Sequence, residues 1–423
     1  MADPNTEIDV DLDVQEILLT ASQHDIPKLR RLVRATEKFA NPANVKDSET
    51  GYTPLHSAIA ACEPEQPEEG ANGETNGVHP DSEHEKVLQS GAETVRFLLQ
   101  EGAIWNDLDL NDETPGCLAR RFGLKEIYEM IVDAGVRAEL LLGRLDGYEA
   151  LSGDEDEDEE MGEEKEQEQE GNDSEQEEQS APQLVEATAS TEAATTTETP
   201  AAEPDVSSSR YLDSSLTFQN DRLLDQDQNG VMMAWESDIM AKSAKKLLPT
   251  TGLRVLNIGH GMGIVDRFFQ EQSPASHHIV EAHPAVVQEM KKQGWHEKPG
   301  VQIHEGRWQD ILPALVGQGE TFDAIYYDTF AESYEDFREF FSEQVIGLLD
   351  PAGKWGFFNG MGADRQISYD VYQKVAEMDL FEAGFDVEWE EIKVPTLEGE
   401  WSGVRRPYWV VDDYRLPLCK YMD

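Results

Sequence analysis

The chain has 423 residues, of which 39% are hydrophobic, and a formal net charge of −53 at pH 7. Its length suits two or three domains of ~150 residues each. This excess of acid argues against direct nucleic-acid binding, because a polyanion gains nothing by releasing phosphate counterions, and it favours a basic protein partner. Keeping the protein soluble is the simpler explanation for most of the acidity.

Cysteine usage and terminal sequence indicate the compartment. Cys62, Cys117 and Cys419 are widely spaced without a CxxC pair, which indicates neither a disulfide framework nor a metal site and suits a reducing compartment. The acidic N-terminus lacks the apolar core of a signal peptide, and no window approaches the ~18 apolar residues of a membrane span. We expect a soluble, monomeric protein of the cytoplasm and nucleus that binds no membrane.

The first part of the chain reads as helical repeats. Apolar spacing predicts two short helices between Val14 and Ala35. The run TPLHSA at 53–58 matches the T-P-L-H-x-A signature of an ankyrin repeat, and a degenerate copy, TPGCLA, follows at 114–119. Their offset of 61 residues (114 − 53) is one ~33-residue period plus an insertion of about 28, placed near 63–91. We predict an all-α, ankyrin-like repeat domain over 1–148. It either binds a protein partner or serves as a small helical cap.

An acidic segment follows at 149–205. Between Asp154 and Glu178 it contains 16 acids and one lysine, and large apolar side chains are almost missing from it. Such a sequence cannot bury enough apolar surface to offset the entropy lost on ordering. We therefore predict a disordered linker.

Residues 206–423 alternate apolar strand candidates with helical stretches. The strand candidates are 255–258, a run ending at Glu281, 301–304, 322–328 and 354–359. This rhythm predicts an α/β domain with a mostly parallel sheet. Asp386–Val394 and Tyr408–Val411 have no helix between them and are interpreted as a closing antiparallel pair. That ending is typical of the class I methyltransferase form of the Rossmann-like sheet, whereas nicotinamide enzymes usually continue with parallel crossovers.

Three glycines mark the turn after the first of these strands. Gly259, Gly261 and Gly263 follow Val255–Ile258, and Glu281 lies 22 residues past the first glycine (281 − 259). Glycine permits positive φ and close approach of a ligand, and an acid ~20 residues later suits a ribose hydroxyl. An ordinary glycine-rich turn of an α/β domain is the alternative.

Further polar residues follow the later strands, and the carboxyl ends of parallel strands share one edge of the sheet. Trp308 follows the third strand and Asp328 ends the fourth. Glu281, Trp308 and Asp328 suit the ribose, the adenine and the cationic end of a ligand. NAD would use the first two, but no Arg or Lys adjoins the glycine turn, which favours S-adenosylmethionine. Each residue alone could equally be a helix cap or a core side chain.

Three motifs together resemble the guanidinoacetate methyltransferase branch. They are the run FDAIYYDTF at 322–330, the loop GHGMG at 259–263 and the Trp235-Glu236 helix start. With the ankyrin-like N-terminus, the whole chain resembles the fungal protein arginine N-methyltransferase 2 family, which are type IV, arginine N5-methyltransferases. The acidic linker of ~57 residues (205 − 148) departs from that pattern without bearing on the chemistry.

The resemblance implies a role for each matching residue. Tyr211 and Met240 would close over S-adenosylmethionine, Gly259, His260, Gly261, Met262, Gly263 and Ile264 would cradle its methionine part, Glu281, Ala282 and His283 would hold the ribose, and Trp308 and Gln309 would flank the adenine. Glu236 and Asp328 would grip a guanidino group, with Asp328 also beside the cofactor. Without the resemblance, Glu236 reads as a solvated acid in a first helical turn.

The chemistry of methylating a guanidino group is consistent with two carboxylates in the site. Guanidinium is always protonated and its lone pairs are delocalised, so it is a poor nucleophile. Two carboxylates can bind its planar fork, orient one nitrogen and accept the proton released on methylation. The hypothesis is methylation of the δ nitrogen of arginine in a basic protein, which the resemblance implies to be a large-subunit ribosomal protein. The alternatives are a small-molecule guanidino methyltransferase and a non-catalytic ankyrin adaptor.

Overall fold

The computed structural model describes residues 11–35, 38–64, 80–152 and 207–422. Met1–Arg144 and Ser207–Asp423 form one compact unit, and Leu145–Val206 form a second, of which only the helical residues 145–152 are described. The predicted linker therefore lies outside the described residues except for its first four positions. No helix in the described ranges has the length and apolar character needed to cross a membrane.

Six helices make up the N-terminal part, which we call the helical part (described residues 11–144). They are α1 (Leu12–Ser22), α2 (Ile26–Ala35), α3 (Pro54–Ala60), α4 (Pro80–Gln100), α5 (Pro115–Arg121) and α6 (Lys125–Ser152). The two helices expected between Val14 and Ala35 are α1 and α2. Helix α4 begins at Pro80, inside the stretch predicted as an insertion.

Both Thr-Pro pairs begin helices. Thr53 is the N-cap of α3: its hydroxyl accepts the His56 backbone N–H at 3.4 Å, and His56 Nδ1 accepts the Thr53 backbone N–H at 3.2 Å. Thr114 caps α5 by accepting the Cys117 N–H at 3.2 Å. A threonine cap followed by proline at the first helical position satisfies free N–H groups and presets φ, which is why the two sequence copies adopt the same turn.

The C-terminal part, which we call the sheet part (207–422), is built on seven strands. They are β4 (Arg254–Ile258), β5 (Ser276–Glu281), β6 (Val301–Glu305), β7 (Phe322–Tyr327), β8 (Leu349–Phe357), β9 (Phe385–Lys393) and β10 (Asp413–Tyr421), in the order β6-β5-β4-β7-β8-β10-β9. The first five strands pair in parallel, and β10 is antiparallel to both neighbours. The predicted class I methyltransferase form of the Rossmann-like sheet is confirmed.

A smaller sheet and the remaining helices complete this part. A three-stranded antiparallel sheet, β1 (Thr217–Phe218), β2 (Arg222–Leu224) and β3 (Gly230–Met233), precedes the main sheet and was not predicted. The helices are α7 (Ser208–Leu212), α8 (Ser237–Leu247), α9 (Ile264–Glu271), α10 (Pro284–Lys292), α11 (Trp308–Gln318), α12 (Tyr334–Glu339), α13 (Ile346–Leu348) and α14 (Gln366–Glu382). A π-helical turn, Phe340–Val345, joins α12 to α13.

The last predicted strand was wrong. Tyr408–Val411 is a loop, and the strand that pairs with β9 is β10. Trp409 and Val411 are buried, and the Trp409 indole N–H donates to the Val411 carbonyl at 2.6 Å. The alternating apolar pattern of this stretch therefore reflects packing of a loop against an aromatic cluster, which resembles strand periodicity in a sequence.

Helix α14 joins the core of the helical part to the sheet part. Its Ile367, Val371 and Val375 recur at i, i+4, i+8 and belong to the same apolar core as the buried residues of the helical part. Its Leu380 belongs to the core on one face of the main sheet. One helix is thus buried on two sides by two different structural layers.

The docking of α5 on α14 depends on a glycine. A Cβ added to Gly116 would lie 2.5 Å from Ile367 Cγ1, whereas one added to Gly317, in α11, would meet nothing within 4 Å. We expect Gly116→Ala to lower the free energy of unfolding by about 1–3 kcal/mol through overpacking. Gly317→Ala should leave it unchanged or raise it by up to about 1 kcal/mol. Urea denaturation of the two variants measures the difference, and equal stabilities would show that α5 and α14 are not closely packed.

Candidate active site

The glycine turn passes directly beneath the end of β7. Gly259, Gly261 and Gly263 have φ of +89°, +54° and +69°. A Cβ added to Gly259 would lie 1.9 Å from the Asp328 carbonyl oxygen. Only glycine fits this contact and this φ. The turn and Asp328 are therefore brought together by backbone packing.

The buried side chain of Asp266 stabilises the glycine turn through its contacts with His260 and neighbouring residues. Asp266 Oδ2 lies 2.6 Å from His260 Nδ1, and its Oδ1 lies 2.8 Å from His277 Nε2 and accepts the Asn257 side-chain N–H at 2.9 Å. Burial acts to raise the pKa of Asp266, but the two histidines outweigh it and lower the pKa to about 2. The His260 ring contacts Asp266, which leaves the backbone of His260 as its part of the loop predicted to cradle the cofactor.

Glu281 ties the turn to the end of β5. Its Oε2 accepts the backbone N–H groups of His260 at 2.8 Å and Gly261 at 3.3 Å, and its Oε1 accepts that of His283 at 2.7 Å. A carboxylate has about four lone-pair sites. About one site therefore remains for a hydroxyl of a ligand, so the acid both shapes the turn and keeps a binding capacity.

A cleft opens at this edge of the sheet, and we call it the glycine-turn cleft. Of the predicted cofactor residues, those that line it are Tyr211, Gly259, Gly261, Glu281, Ala282, Trp308 and Asp328. The Trp308 indole N–H donates to the two Glu332 carboxylate oxygens at 2.9 and 3.1 Å, which fixes the ring as a wall.

Other predicted residues support this cleft without lining it. His283 caps α10 by accepting the Ala285 N–H at 3.1 Å, so its other nitrogen donates to the Ser214 carbonyl at 3.2 Å and anchors the segment that carries Tyr211. Gly263 caps α9, and Ile264, its first residue, is buried in the core. His260 and Met262 border a separate groove on the far side of Gly261. Gln309 keeps a buried side-chain oxygen without a partner among the described residues.

Met240, which the resemblance assigns to the cofactor, lies in the hydrophobic core. It is on α8 and completely buried, and it is not among the described residues that line the cleft. The methionine that lines the cleft is Met232 of β3, whose sulfur accepts the Met262 backbone N–H at 3.2 Å. The sequence pattern alone does not show which of these two methionines, eight residues apart, lines the cleft, because the position of β3 is not evident from it.

A second cavity, of about 280 Å³, adjoins the cleft, and we call it the acid cavity. It is lined by Glu236, Asp328, Asn359, Tyr408 and Tyr372, among others. The cleft and the cavity share Val231, Asp328, Thr329, Phe330 and Glu332 as a common wall. A group bound in one therefore adjoins a group bound in the other at Asp328.

The acid cavity contains two carboxylates that lack a cation. Glu236 is only 3% exposed, and burial together with the nearby Asp328 charge raises its pKa well above the usual range. Burial, with the charges of Asp266 and Glu281, raises the pKa of Asp328 to about 7. Asp328 Oδ2 is buried and has no hydrogen-bond partner in the described ranges, and no Lys or Arg of those ranges forms an ion pair with either acid. This arrangement is suited to a ligand with a planar positive charge.

Two further residues of this cavity escaped the sequence analysis. The Tyr408 hydroxyl donates a short hydrogen bond to Glu236 Oε1. Asn359 donates its side-chain N–H groups to Tyr369 Oη at 3.1 Å and to the Arg415 carbonyl at 3.0 Å, and no hydrogen bond from a described residue to its Oδ1 is seen. Asn359 follows β8, and the strand-end rule that found Asp328 would have found it. Tyr408 gave no signal because its stretch resembles a strand.

The chain is similar in sequence to known proteins. The family model for guanidinoacetate N-methyltransferase matches residues 202–400. Protein arginine N-methyltransferase 2 of Aspergillus fumigatus is 74% identical over 428 residues, covering 100% of both chains. The chain belongs to the protein arginine N-methyltransferase 2 family. Proteins of that name from Neurospora crassa and Candida glabrata are 47% and 36% identical, covering 97% and 90% of this chain and 96% and 87% of their own.

Membership of the protein arginine N-methyltransferase 2 family confirms the resemblance drawn from the three motifs, and all three motifs lie at the cleft or the acid cavity. Solved structures are more distant. The O-methyltransferase TomG from Streptomyces achromogenes, in complex with SAM, is 16% identical with a TM-score of 0.33, covering 45% of this chain and 82% of its own. A similarity this low adds nothing to the fold assignment. That assignment is based on the order and direction of the strands.

The raised pKa of Asp328 predicts a pH effect on stability. Between the ordinary carboxyl pKa and about 7, the folded state holds a proton that the unfolded state releases. The contribution of Asp328 to the free energy of unfolding therefore falls as pH rises through that window, by at most about 1.4 kcal/mol per pH unit. Asp328→Asn should remove this fall, so the variant gains stability relative to wild type between pH 5 and pH 8.

The control is Asp310→Asn, which alters an exposed acid at the start of α11. Its stability should follow that of wild type across the same pH range in urea denaturation. If Asp328→Asn also parallels wild type, the Asp328 carboxyl titrates as an ordinary solvated acid.

Proposed function

We propose that the protein is an S-adenosylmethionine-dependent methyltransferase that modifies the δ nitrogen of an arginine side chain in a protein. One observation carries the proposal: the buried Glu236 and the half-buried Asp328 both line the acid cavity, Asp328 at the wall shared with the glycine-turn cleft, and no described Lys or Arg forms an ion pair with either. A cleft alone is compatible with many nucleotide ligands. The acids add a site for a cationic acceptor next to it.

The cleft suits S-adenosylmethionine in its donor set. Gly261 lacks a side chain at φ +54°, and a Cβ there would lie 2.8 Å from Met232 Cε, so the turn stays open to a ligand. Glu281 would accept a ribose hydroxyl and Trp308 would flank the adenine, while the carboxylate of Asp328 faces a positive charge. When bound there, the cofactor supplies a methyl group on a sulfonium sulfur.

The residues of the acid cavity would bind and orient the acceptor. Glu236 and Asp328 accept N–H groups from the planar guanidinium, and the free Oδ1 of Asn359 provides a third acceptor. The bound cation lowers the pKa of both acids, which favours the ionised pair. Tyr408 holds the Glu236 carboxylate in one orientation by its hydrogen bond. These contacts localise electron density on one nitrogen of the guanidinium. They also orient that nitrogen toward the cleft.

Asp328 is the residue best suited to receive the proton. Methylation of a guanidinium nitrogen must be followed by loss of a proton, because the product would otherwise carry two positive charges. Asp328 Oδ2 has no hydrogen-bond partner among the described residues and can take up that proton. Burial and the charges of Asp266 and Glu281 raise the pKa of Asp328 and so favour the protonated carboxyl, in opposition to the bound cation.

The choice of the δ nitrogen and of a protein acceptor rests on different support. The δ position comes from the resemblance of the three motifs to arginine N5-methyltransferases. A protein acceptor is supported by the names of the relatives, the acidic composition and the ankyrin-like signatures at 53–58 and 114–119. A ribosomal protein of the large subunit is proposed on the resemblance to the family alone. Presence in the cytoplasm and nucleus and a monomeric state remain expectations from sequence.

A small-molecule guanidino methyltransferase is the second candidate. It is favoured by the family model for guanidinoacetate N-methyltransferase over 202–400. A non-catalytic adaptor is less well supported, because Glu236, Glu281 and Asp328 are all retained and placed together at the cavities. The acceptor distinguishes the first two candidates.

Product analysis tests the proposed acceptor and position. We expect the enzyme and S-adenosylmethionine to methylate arginine in a basic, ribosomal protein, and fragmentation in the mass spectrometer to give the signature of δ-methylarginine. Methylation of guanidinoacetate alone would instead support the small-molecule candidate. Exclusive ω-methylarginine would contradict the δ assignment.

Substitution of the two acids tests the mechanism. Glu236→Gln and Asp328→Asn each keep the side-chain shape but remove one negative charge, so each should reduce kcat/KM by about 10²-fold or more. Cofactor affinity, measured by calorimetry, should change little for Glu236→Gln, because Glu236 lines only the acid cavity. Asp310→Asn serves as the control with full activity. Wild-type turnover in either cavity variant would rule out the carboxylate pair.

A further inference from the structure

The contact between α6 and α14 involves a glycine on one side and apolar side chains on the other. A Cβ added to Gly135 of α6 would lie 2.8 Å from Val371 Cγ2 of α14. Val371 is fully buried, in the same core cluster as Ile131 of α6. The two helices therefore approach closely, and the position of α14 depends on the helical part.

Polar contacts fix the register between these two helices. Tyr128 Oη donates to Asp370 Oδ2 at 2.6 Å, and Asp370 Oδ1 in turn lies 2.7 Å from an Arg415 nitrogen of β10. Lys374 Nζ and Asp133 Oδ1 are 3.3 Å apart at the exposed edge. These contacts connect α6 through α14 to the main sheet.

One contact of this series reaches the acid cavity. Tyr372 of α14 lines the cavity with its ring, and its hydroxyl donates to Glu139 Oε2 of α6 at 3.1 Å. The Tyr372 ring also packs against Tyr334, with centroids 5.8 Å apart, and Tyr334 lines the same cavity. Burial raises the pKa of Tyr372 to well above its ordinary value, and the Glu139 charge adds to the shift.

We propose that Glu139 is a positioning residue for the acceptor: from the helical part, it holds Tyr372 in the place that shapes the acid cavity for a guanidinium-bearing side chain. This inference rests on the proposed function and extends it to the N-terminal part of the chain. The helical part is then a component of the acceptor site, and Glu236 and Asp328 remain the catalytic residues.

The proposal predicts an effect on acceptor binding and none on the cleft. Glu139 and Tyr372 are not among the described residues lining the glycine-turn cleft. Loss of their hydrogen bond lets the Tyr372 ring leave its position, so acceptor affinity and KM should change while cofactor affinity stays the same. A purely structural role would instead alter stability and both affinities together.

The test is calorimetric binding of Nα-acetyl-arginine N-methylamide to the full-length protein saturated with S-adenosylhomocysteine. Glu139→Ala and Tyr372→Phe should each weaken binding about fivefold, the value expected for one hydrogen bond. The double variant should be no weaker than either single one, because both remove the same interaction. Glu139→Gln retains an acceptor oxygen and should restore binding close to wild type.

Asp133→Ala is the matched control. It removes another acid of α6 that contacts α14, but its partner, Lys374, is not among the described residues lining the acid cavity. It should bind the probe as wild type does. An equal loss in this control would show a general docking effect and overturn the role of Glu139.

The outcomes separate this inference from the proposed function. If wild-type protein does not bind the probe, the proposed function fails. If wild type binds and Glu139→Ala and Tyr372→Phe bind equally well, or if their effects add, the inference is overturned and the proposed function stands. Should Glu139→Ala fold poorly, Tyr372→Phe decides, because it removes only the hydroxyl that donates to Glu139.

Discussion

The constraint on which the rest of this structure depends is the enclosure of two neighbouring acids, neither of which forms an ion pair with a described Lys or Arg. Burial makes ionisation costly for both, the nearby Asp328 adds to the cost for Glu236, and Asp266 and Glu281 add to the cost for Asp328. Such a pair persists only where surrounding structure holds it in place. Tyr408 does so for Glu236 from the C-terminal loop, and the backbone contact with Gly259 does so for Asp328. The energetic cost becomes useful when a cation enters.

The glycine turn shows how such a site is kept rigid. Asp266 and Glu281 together accept hydrogen bonds from side chains and backbone groups on both sides of the turn, and both are buried. The acids of this region thus fall into two groups. Asp266 is satisfied by its partners and has a lowered pKa, whereas Asp328 lacks them and has a raised one. The first group orders the scaffold, and the second group is left for a ligand.

The parts of this site that sequence revealed are those encoded locally. Gly259, Glu281 and Asp328 each stand at the end of a predictable strand, so one rule about strand ends collected them. The burial of Met240 in the core and the contact of the His260 ring with Asp266 were not predicted, because both depend on tertiary contacts that no local pattern shows. Helix α14 was not predicted, since its apolar residues face two layers and show no single amphipathic stripe. Tyr408 depends on a loop fold that only tertiary packing defines.

Helix α14 also limits how the gene can vary in length. Its residues pack against the helical part and the main sheet and also line the acid cavity. Each residue added to an α-helix rotates everything beyond it by about 100°. A single inserted codon before Val371 would therefore turn Tyr372 out of the cavity and Val371 out of its core in one step. Insertions and deletions should be excluded from this helix, even though substitutions at its exposed positions, such as Met378, are tolerated.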